Sequence, residues 1–520
     1  MTRRPGLALA ALLVAAFAIN LDTTIVNVAL PTLARELHAS NSQLQWIVDA
    51  YNLVFAAFLL AAGSLSDRVG RKGMLLAGLG LFGAASLAGG FATSSGALIL
   101  ARCFMGLGAA MVFPATLSLI SNIFTERAER ARAIGLWGAT AGIAIALGPI
   151  AGGWLLGRFS WASIFFAMAP VATLGALMVA RWVPTSRDEE AQRIDRPGFG
   201  LSTAGLSLLV FTIIEAPDHG WGSARSIAGF LLSLGLLLGF LLWERRSAAP
   251  MLDVGLFRNS RFSAACAAVT VSFFTLLGFI FVITQYFQLV KRYDPLSTGV
   301  HLLPVAVSVG VASVLGTKLA VRAGTKLVVT SGLLMVSGFY LWVASVSTRT
   351  GYGTIAAQMV LYGTGMGLTS APATEAIMGV VPVEKAGVGS AVNDATRLLG
   401  GTLGVAVIGS VYASLYSSRL TSSLPARLPH AMASLAHSSA GSALVLAGHL
   451  LGSGQAVLAH SVRAAASGAL VHGLSGGCLV AAGVAVVGAA AAAVALPAQP
   501  PGLEVAHSVN GASAAAPEAA

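Results

Sequence analysis

Charged residues are scarce: Asp, Glu, Lys and Arg make up 10% of the 520 residues, where soluble domains carry about a quarter. A chain so poor in charge cannot clothe a water-facing surface, so most of its surface faces lipid. Cysteine is nearly missing as well. Cys103, Cys266 and Cys478 each lie inside an apolar segment and no CxxC pair occurs, which excludes a disulfide framework and a cysteine zinc site. No HExxH or P-loop pattern is present, so a zinc protease and a nucleotide-driven machine lack their signatures. The formal net charge of +11 would suggest a nucleic-acid partner in a soluble protein. Here the basic residues cluster in short turns between apolar runs, which argues against that partner.

What the chain does have is long apolar runs. Hydrophobic residues make up 56% of it and the mean hydropathy is +0.81. A span needs about 20 mostly apolar residues. Fourteen segments qualify: 7–30, 45–65, 73–93, 97–120, 133–156, 162–183, 199–217, 226–243, 262–290, 298–320, 326–346, 352–379, 393–416 and 468–496. The first follows Arg3 and Arg4, but it is too long for a signal-peptide core and contains Asp22 and Asn27, so it reads as a retained span. An even count puts both termini on one side. On that side fall 21 of the 31 basic residues, with nine opposite and Arg102 within a span. The bias predicts cytoplasmic termini. The fold class expected is an all-α integral membrane protein.

One stretch departs from the rhythm of short loops. Residues 418–467 form a long outer segment, in which Gly441 to His460 is apolar enough for a surface or re-entrant helix; as a true span it would invert the last helix. The tail after Pro497 is rich in Ala, Pro and Ser and is expected to be disordered. GTKLAVRAGTK at 316–326 echoes GSLSDRVGRK at 63–72, without the acid at Asp67. Two related halves, each with such a turn, suit a rocking transporter.

Several segments together resemble the major facilitator superfamily, and within it the 14-helix drug:proton antiporter branch of QacA/EmrB-like exporters. Gly63, Asp67, Arg68, Gly70, Arg71 and Lys72 match the turn between the second and third helices. Arg102, Gly106 and Gly108 match the fourth-helix motif. Gly138, Gly142, Gly148, Pro149, Gly152 and Gly153 match the fifth-helix antiporter motif. LDTTIVNVALP at 21–31, QWIVDAYNL at 45–53, PMLDVGLFRNSRF at 250–262 and SAVNDATRLLGGTLG at 390–404 are similar to that branch as well. Ala162, after Trp161, departs from the branch, which usually has Arg there. The resemblance implies two six-helix bundles, residues 1–184 and 261–497, an additional helix pair within 185–260, and a cytoplasmic tail at 498–520. It implies a monomeric, proton-coupled exporter of lipophilic or cationic small molecules in the bacterial cytoplasmic membrane, with no cofactor and no enzymatic activity.

The residues themselves support physical roles beside that resemblance. Asp67 can cap a helix or pair across the two halves in one conformation only, which would make the 63–72 turn a gate; a plain basic turn is the alternative. The glycines of the fifth helix allow close packing, and Pro149 bends it. A charge at the bilayer centre costs about 2.5–3.5 kcal/mol on insertion scales. Asp22, Asp49 and Arg102 are therefore expected to share one network, with Asp22 the principal proton site, since burial favours a protonated carboxyl and an arginine the ionised one. The plainer alternatives are a helix–helix hydrogen bond for Asp22 and a water-interface position for Asp49. Glu375 is a further proton or cation candidate, or snorkels to water. Asn393 and Arg397 are candidate gate partners; Glu215 and Asp218 read as a solvated rim. Asn27, Trp46, Asn52, Phe55, Gln285, Tyr286, Gln288, Tyr362 and Met366 are candidate walls of a central apolar cavity. Five of nine histidines fall between His430 and His472 without metal-ligand spacing, so no metal is expected. Two rivals stay open: another cargo on the same fold, such as a metabolite, siderophore or lipid, and a non-transporting ligand sensor.

Overall fold

The computed structural model describes residues 4–187, 195–247, 250–381, 386–425, 427–496 and 498. Arg3, Arg193, Lys385 and all of the expected tail except Ala498 lie outside the described residues.

The described chain folds into helices, in the order α1 (Pro5–Glu36), α2 (Asn41–Val69), α3 (Arg71–Gly90), α4 (Ser95–Ile123), α5 (Arg127–Arg158), α6 (Ala162–Trp182), α7 (Arg196–His219), α8 (Ala224–Glu244), α9 (Ser260–Val290), α10 (Pro295–Ala323), α11 (Thr325–Val343), α12 (Tyr352–Val380), α13 (Ala386–Ser423), α14 (His430–Ser438), α15 (Ala440–Gly452) and α16 (Ala456–Ala495). Thirteen helices among the described residues are long and apolar enough to cross a membrane. α12, at 29 residues, has the length but falls short in apolarity because Gly, Thr and Gln dilute it. It nevertheless packs along α10 and α11 like its neighbours. The chain is therefore a multi-pass membrane protein. Helices alternate in direction, so the turns after α2 and α10 lie at the end where α1 begins, called here the terminus side.

Polar residues set where the helices start. Ser40 caps α2 in a capping box: its hydroxyl accepts from the Gln43 N–H at 3.2 Å, and its own N–H donates to Gln43 Oε1 at 3.0 Å. Asp294 caps α10, accepting from the Ser297 N–H at 2.8 Å and its hydroxyl at 2.7 Å. Those bonds hold the Asp294 carboxyl below the usual carboxylate range. A lowered value stabilises the fold above the ordinary carboxylate range, and that contribution is lost as pH falls through the lowered value. Asp294→Ala is expected to cost about 1 kcal/mol at neutral pH, read as a lower unfolding temperature in detergent, with the difference from wild type closing in acid.

The helices overrun the predicted spans, because cap residues and amphipathic ends extend beyond the hydrocarbon. The outer segment shortens accordingly: α13 continues to Ser423 and α16 starts at Ala456, not at 468. Between them α15 has 13 residues, too short to span. It lies against the outer end of α1, where Gly441 meets Ala34 and Pro31.

The internal repeat is visible in glycine contacts. Gly106 of α4 sits against the Tyr51 carbonyl of α2 as Gly363 of α12 sits against the Val305 carbonyl of α10. Gly108 faces Gly78 of α3 as Gly365 faces Gly332 of α11. Both turns reverse on a left-handed glycine, Gly70 at φ +124° and Gly324 at φ +86°.

α7 and α8 pack on each other, and α7 lies over the seam between α2 and α13. Leu53, Val210, Ile213, Ile214 and Ala406 form one buried cluster there, and Phe58 stacks edge-on against Phe199 at 5.0 Å. The expected solvated rim at the outer end of α7 is exposed at Asp218 and half-buried at Glu215, and both acids also bond to α2. Asp218 accepts from Ser42 Oγ at 2.6 Å, and Glu215 from Trp46 Nε1 at 3.4 Å. Trp221 donates to Ser414 of α13 at 2.9 Å.

Candidate functional site

The outer ends of the two halves are closed on each other. A methyl group at Gly153 of α5 would overlap the backbone of Pro295 and Leu296 of α10, and one at Gly299 would overlap Pro149 and Ile150. Gln288 Nε2 donates to the Val28 carbonyl at 2.8 Å, and Ser410 Oγ to Gln45 Oε1 at 3.1 Å. All four contacts join one half to the other at the outer end.

On the terminus side of this seal lies a cavity of about 290 Å³. Asn20 and Thr23 of α1, Phe55 of α2, Phe113 of α4, the α5 face from Gly138 to Pro149, α9 from Phe273 to Ile280, α10 from Leu302 to Ser313, Met366 and Ser370 of α12, and Asp394, Arg397 and Leu398 of α13 line it. The wall is mostly apolar, with one acid and one base from the same turn of α13. The Arg397 guanidinium lies 5.3 Å from the Phe273 ring centroid and donates from Nη2 to Thr374 Oγ1 at 3.2 Å. Thr374 Oγ1 in turn donates to Asn393 Oδ1 at 3.2 Å. Asp394 is buried beside them. Its place on the cavity wall was readable only as adjacency to Asn393 and Arg397 in SAVNDATR; the sequence does not show which face of α13 it takes.

The antiporter motif divides among three jobs. Gly138, Gly142 and Pro149 border the cavity. Gly148 and Gly152 press on α1, where a methyl at Gly152 would lie 2.8 Å from the Ile25 carbonyl oxygen. Gly153 belongs to the outer seal.

Asp22 and Arg102 form a buried ion pair through Arg102 Nη1 and Asp22 Oδ2. The guanidinium also donates from Nε to the Ile47 carbonyl at 2.9 Å and lies 4.4 Å from the Tyr51 ring centroid. Tyr51 Oη donates to the Ile19 carbonyl at 2.9 Å. One cluster thus ties α1, α2 and α4 together, behind the cavity wall rather than on it. Asp22 Oδ1 has no hydrogen-bond partner. Asp49 does not join the pair, which corrects the expected three-member network. Nor does it sit in water, since it is fully buried and neither carboxyl oxygen has a partner. Glu375 is exposed on α12. Among the described residues the second repeat has no such pair: Met359 stands four residues before Gly363, as Arg102 stands before Gly106. Phe279, Phe339 and Tyr362 pack there instead, with Tyr362 centroids 5.3 and 4.7 Å from the two phenyl rings.

In the 63–72 turn, Arg71 Nε donates to Asp67 Oδ1 at 2.7 Å. Lys72 Nζ donates to the Ala180 carbonyl of α6 at 2.8 Å, and the Arg71 N–H to the Ser186 carbonyl at 2.9 Å. Gly63 packs near Pro114, and Arg68 is exposed. The expected helix cap by Asp67 is not formed, because Gly70 precedes α3 with no side-chain cap. Asp67 pairs inside its own half in this conformation.

Of the nine expected cavity residues, Phe55 and Met366 line the cavity. The other seven are placed off its wall. Asn27, Asn52 and Gln285 donate back to their own helices, at the Thr23, Val48 and Phe281 carbonyls. Trp46 faces α7, Gln288 closes the outer seal, Tyr286 donates to the Ser347 carbonyl at 2.8 Å, and Tyr362 packs in the aromatic cluster. A GxSxG pattern, Gly473 to Gly477, falls mid-helix in α16, where Ser475 donates to the Ala344 carbonyl at 2.8 Å. That is a helix-packing bond, not the strand-to-helix turn a nucleophile requires.

The pattern of the Major Facilitator Superfamily matches residues 12–405. The multidrug resistance protein Stp of Mycobacterium tuberculosis is 37% identical over 412 residues, covering 79% of this chain and 76% of Stp. The multidrug efflux pump LfrA of Mycolicibacterium smegmatis is 36% identical, covering 79% of this chain and 81% of LfrA. The methylenomycin A resistance protein of Streptomyces coelicolor is 33% identical, covering 75% and 82%. Among solved structures, an inward-facing, unoccupied bacterial homolog of the human lysosomal transporter Spinster superposes with a TM-score of 0.65 at 14% identity, covering 96% of this chain and 100% of that one. That likeness concerns the fold alone.

Proposed function

The chain belongs to the Major Facilitator Superfamily, and from that membership we propose that it is a proton-coupled exporter of drugs, antibiotics or other lipophilic small molecules, of the 14-helix antiporter branch. Its termini are cytoplasmic and it works by alternating access as a monomer, without a cofactor. The observation that carries the reading is the mostly apolar cavity between the two halves, with Asp394 and Arg397 on its wall and a seal at its outer end. Such a site suits a lipophilic cargo with one polar or charged group. The names of the relatives, multidrug resistance and efflux proteins among them, point the same way.

Coupling falls to acids that lie within helices. Asp22 faces Arg102, so a proton arriving on Asp22 would release that cation from its partner and loosen α1 from α4. Asp49, buried without a partner, is the second candidate. Glu375, exposed on α12, is the third. Asp67, Arg68, Arg71 and Lys72 form the terminus-side gate when the cavity closes there, with Asn393 and Arg397 on the facing half. The first six helices form one bundle, α9–α13 with α16 the other, and α7–α8 the additional pair.

The driving force is bounded. One charge moving across ~100 mV gains about 2.3 kcal/mol, and each pH unit adds about 1.36 kcal/mol. One proton at that potential with one pH unit sustains a gradient of a few hundred-fold for a neutral cargo.

The test is ethidium efflux from proteoliposomes under an imposed pH gradient. Accumulation against the dye gradient, collapsing when an ionophore dissipates the proton gradient, is the expected result. No transport of ethidium or of other lipophilic dyes by folded protein would instead favour a dedicated metabolite, siderophore or lipid cargo, or a sensor. Asp394→Asn is expected to weaken binding of cationic dyes about tenfold, measured by dye fluorescence, while neutral dyes keep their affinity.

A further inference from the structure

We infer that the terminus-side end of α10 is a binding site for an anionic phospholipid, whose headgroup phosphate sits between Lys318 and Arg322. The inference goes beyond the exporter reading and does not depend on what the cargo is.

The site follows from a difference between the two repeats. Aligned on Gly70 and Gly324, both turns keep a base two residues before the glycine and another two after it: Arg68 and Lys72 in the first, Arg322 and Lys326 in the second. Asp67 and Arg71, which pair in the first turn, are replaced by Val321 and Thr325, and Lys318 stands where the first turn has Ser64. The second turn has lost its acid and gained a base. Its surroundings do not make this good. From Val254 to Thr374 the only acid is Asp294, at the opposite end of α10, and Glu375 of α12 forms no ion pair with either base. Neither Lys318 nor Arg322 has an ion-pair partner among the described residues, and both are exposed.

The two bases share an open groove, completed by the exposed side chains of Leu315, Leu319 and Val321. At about 100° per residue, Leu315, Leu319 and Arg322 lie about 140–160° round α10 from Gly299, where α10 meets α5. The groove therefore opens to lipid, away from the seam and from the central cavity. Toward the membrane centre the same side of α10 continues as an aliphatic strip through Val314, Val311 and Val307, all exposed. Arg322 lies two residues before the Gly324 turn, at headgroup depth. Lys318 starts about 6 Å deeper, and its flexible stem lets the ammonium rise to the same level. A soluble anion would meet the charges alone. A phospholipid meets both features: its phosphate takes paired N–H bonds from the guanidinium and a third from the ammonium, while an acyl chain covers the leucines and valines. An anionic headgroup is favoured over a zwitterionic one, since the groove supplies two positive charges and no negative one. The lipid phosphate then gives the second half the anion that Asp67 gives the first.

The test titrates the full chain in detergent with dioctanoyl phosphatidylglycerol and, as the zwitterionic control, dioctanoyl phosphatidylcholine, counting bound lipids by native mass spectrometry. Wild type is expected to bind the anionic lipid about tenfold more tightly than the control. Lys318→Gln with Arg322→Gln should abolish that preference. Val321→Asp, which leaves both bases in place and restores the missing acid beside them, should lower it about fivefold, and so gives the same answer should the double variant not fold. Arg245→Gln with Arg246→Gln, which removes two exposed bases just after α8, should leave it within about twofold. No preference in wild type, a preference that survives in the Lys318 and Arg322 variant, or an equal loss in the Arg245 and Arg246 variant overturns the site. Displacement of the lipid by equimolar inorganic phosphate overturns it too, since the groove would then hold a free anion.

Discussion

Asp22→Asn is expected to abolish pH-gradient-driven dye efflux, by about a hundredfold or more, while dye binding stays within about twofold. The geometry separates the two effects. Asp22 is fully buried and paired with Arg102, and it does not border the cavity. Asparagine keeps the shape and a hydrogen-bond acceptor for the guanidinium, so α1, α2 and α4 stay together. What it removes is the ability to alternate between a charged and a neutral form, which is the step a coupling site performs. Transport unchanged in Asp22→Asn would move coupling to Asp49 or Glu375. The partner residue behaves differently. Arg102→Ala leaves a buried carboxylate uncompensated, which costs about 3–5 kcal/mol, seen as a large fall in the unfolding temperature in detergent. Combining it with Asp22→Asn should restore much of that stability and none of the transport.

Gly153→Val is expected to prevent the outer ends from closing. Its side chain would have to occupy the position of the Pro295 backbone, which cannot give way as a flexible side chain would. The population with a closed outer end should fall, and Val28, buried beneath the Gln288 bond, should become reachable from outside. In a background with Cys103, Cys266 and Cys478 replaced by alanine, maleimide labelling of Val28→Cys should rise about tenfold with the glycine variant, the equivalent of about 1.4 kcal/mol in the conformational equilibrium. No change in labelling would show that the contact does not hold this state. Efflux should fall as well, since the cycle needs both closures.

Much of the fold was legible because span length and turn chemistry act locally. Runs of about 20 apolar residues fix a helix without reference to anything else, and the glycines at 70 and 324 mark turns by their own backbone geometry. The paired charges Asp22 and Arg102 were legible for a similar reason: two opposite charges stranded in apolar spans have few stable choices besides each other. The cavity wall was not. Whether Asn52 or Phe55 faces the centre depends on helix rotation: three residues apart, they share one side of α2 and differ by only about 60°, too small an angle for the pattern to resolve. Gln285 and Gln288 do avoid lipid, as amides must, but a helix carbonyl and a seam between halves serve them as well as a cavity would. Asp49 misled for the opposite reason. Its place near the end of a predicted span suggested water, but α2 starts at Asn41, and α13 and α7 pack over the α2 seam, leaving Asp49 fully buried.

The outer seal has a consequence for how the protein responds to its surroundings. Glycine, proline and backbone carbonyls make it, with two amide or hydroxyl bonds and no ion pair across it among the described residues. A seal of that kind holds by fit, and salt screens only charge. Sea water and dilute buffer on the far side should leave it equally tight. The charged turn at Asp67 and Arg71 lies on the opposite side, so any influence of ionic strength on the resting state should be felt from the terminus side alone.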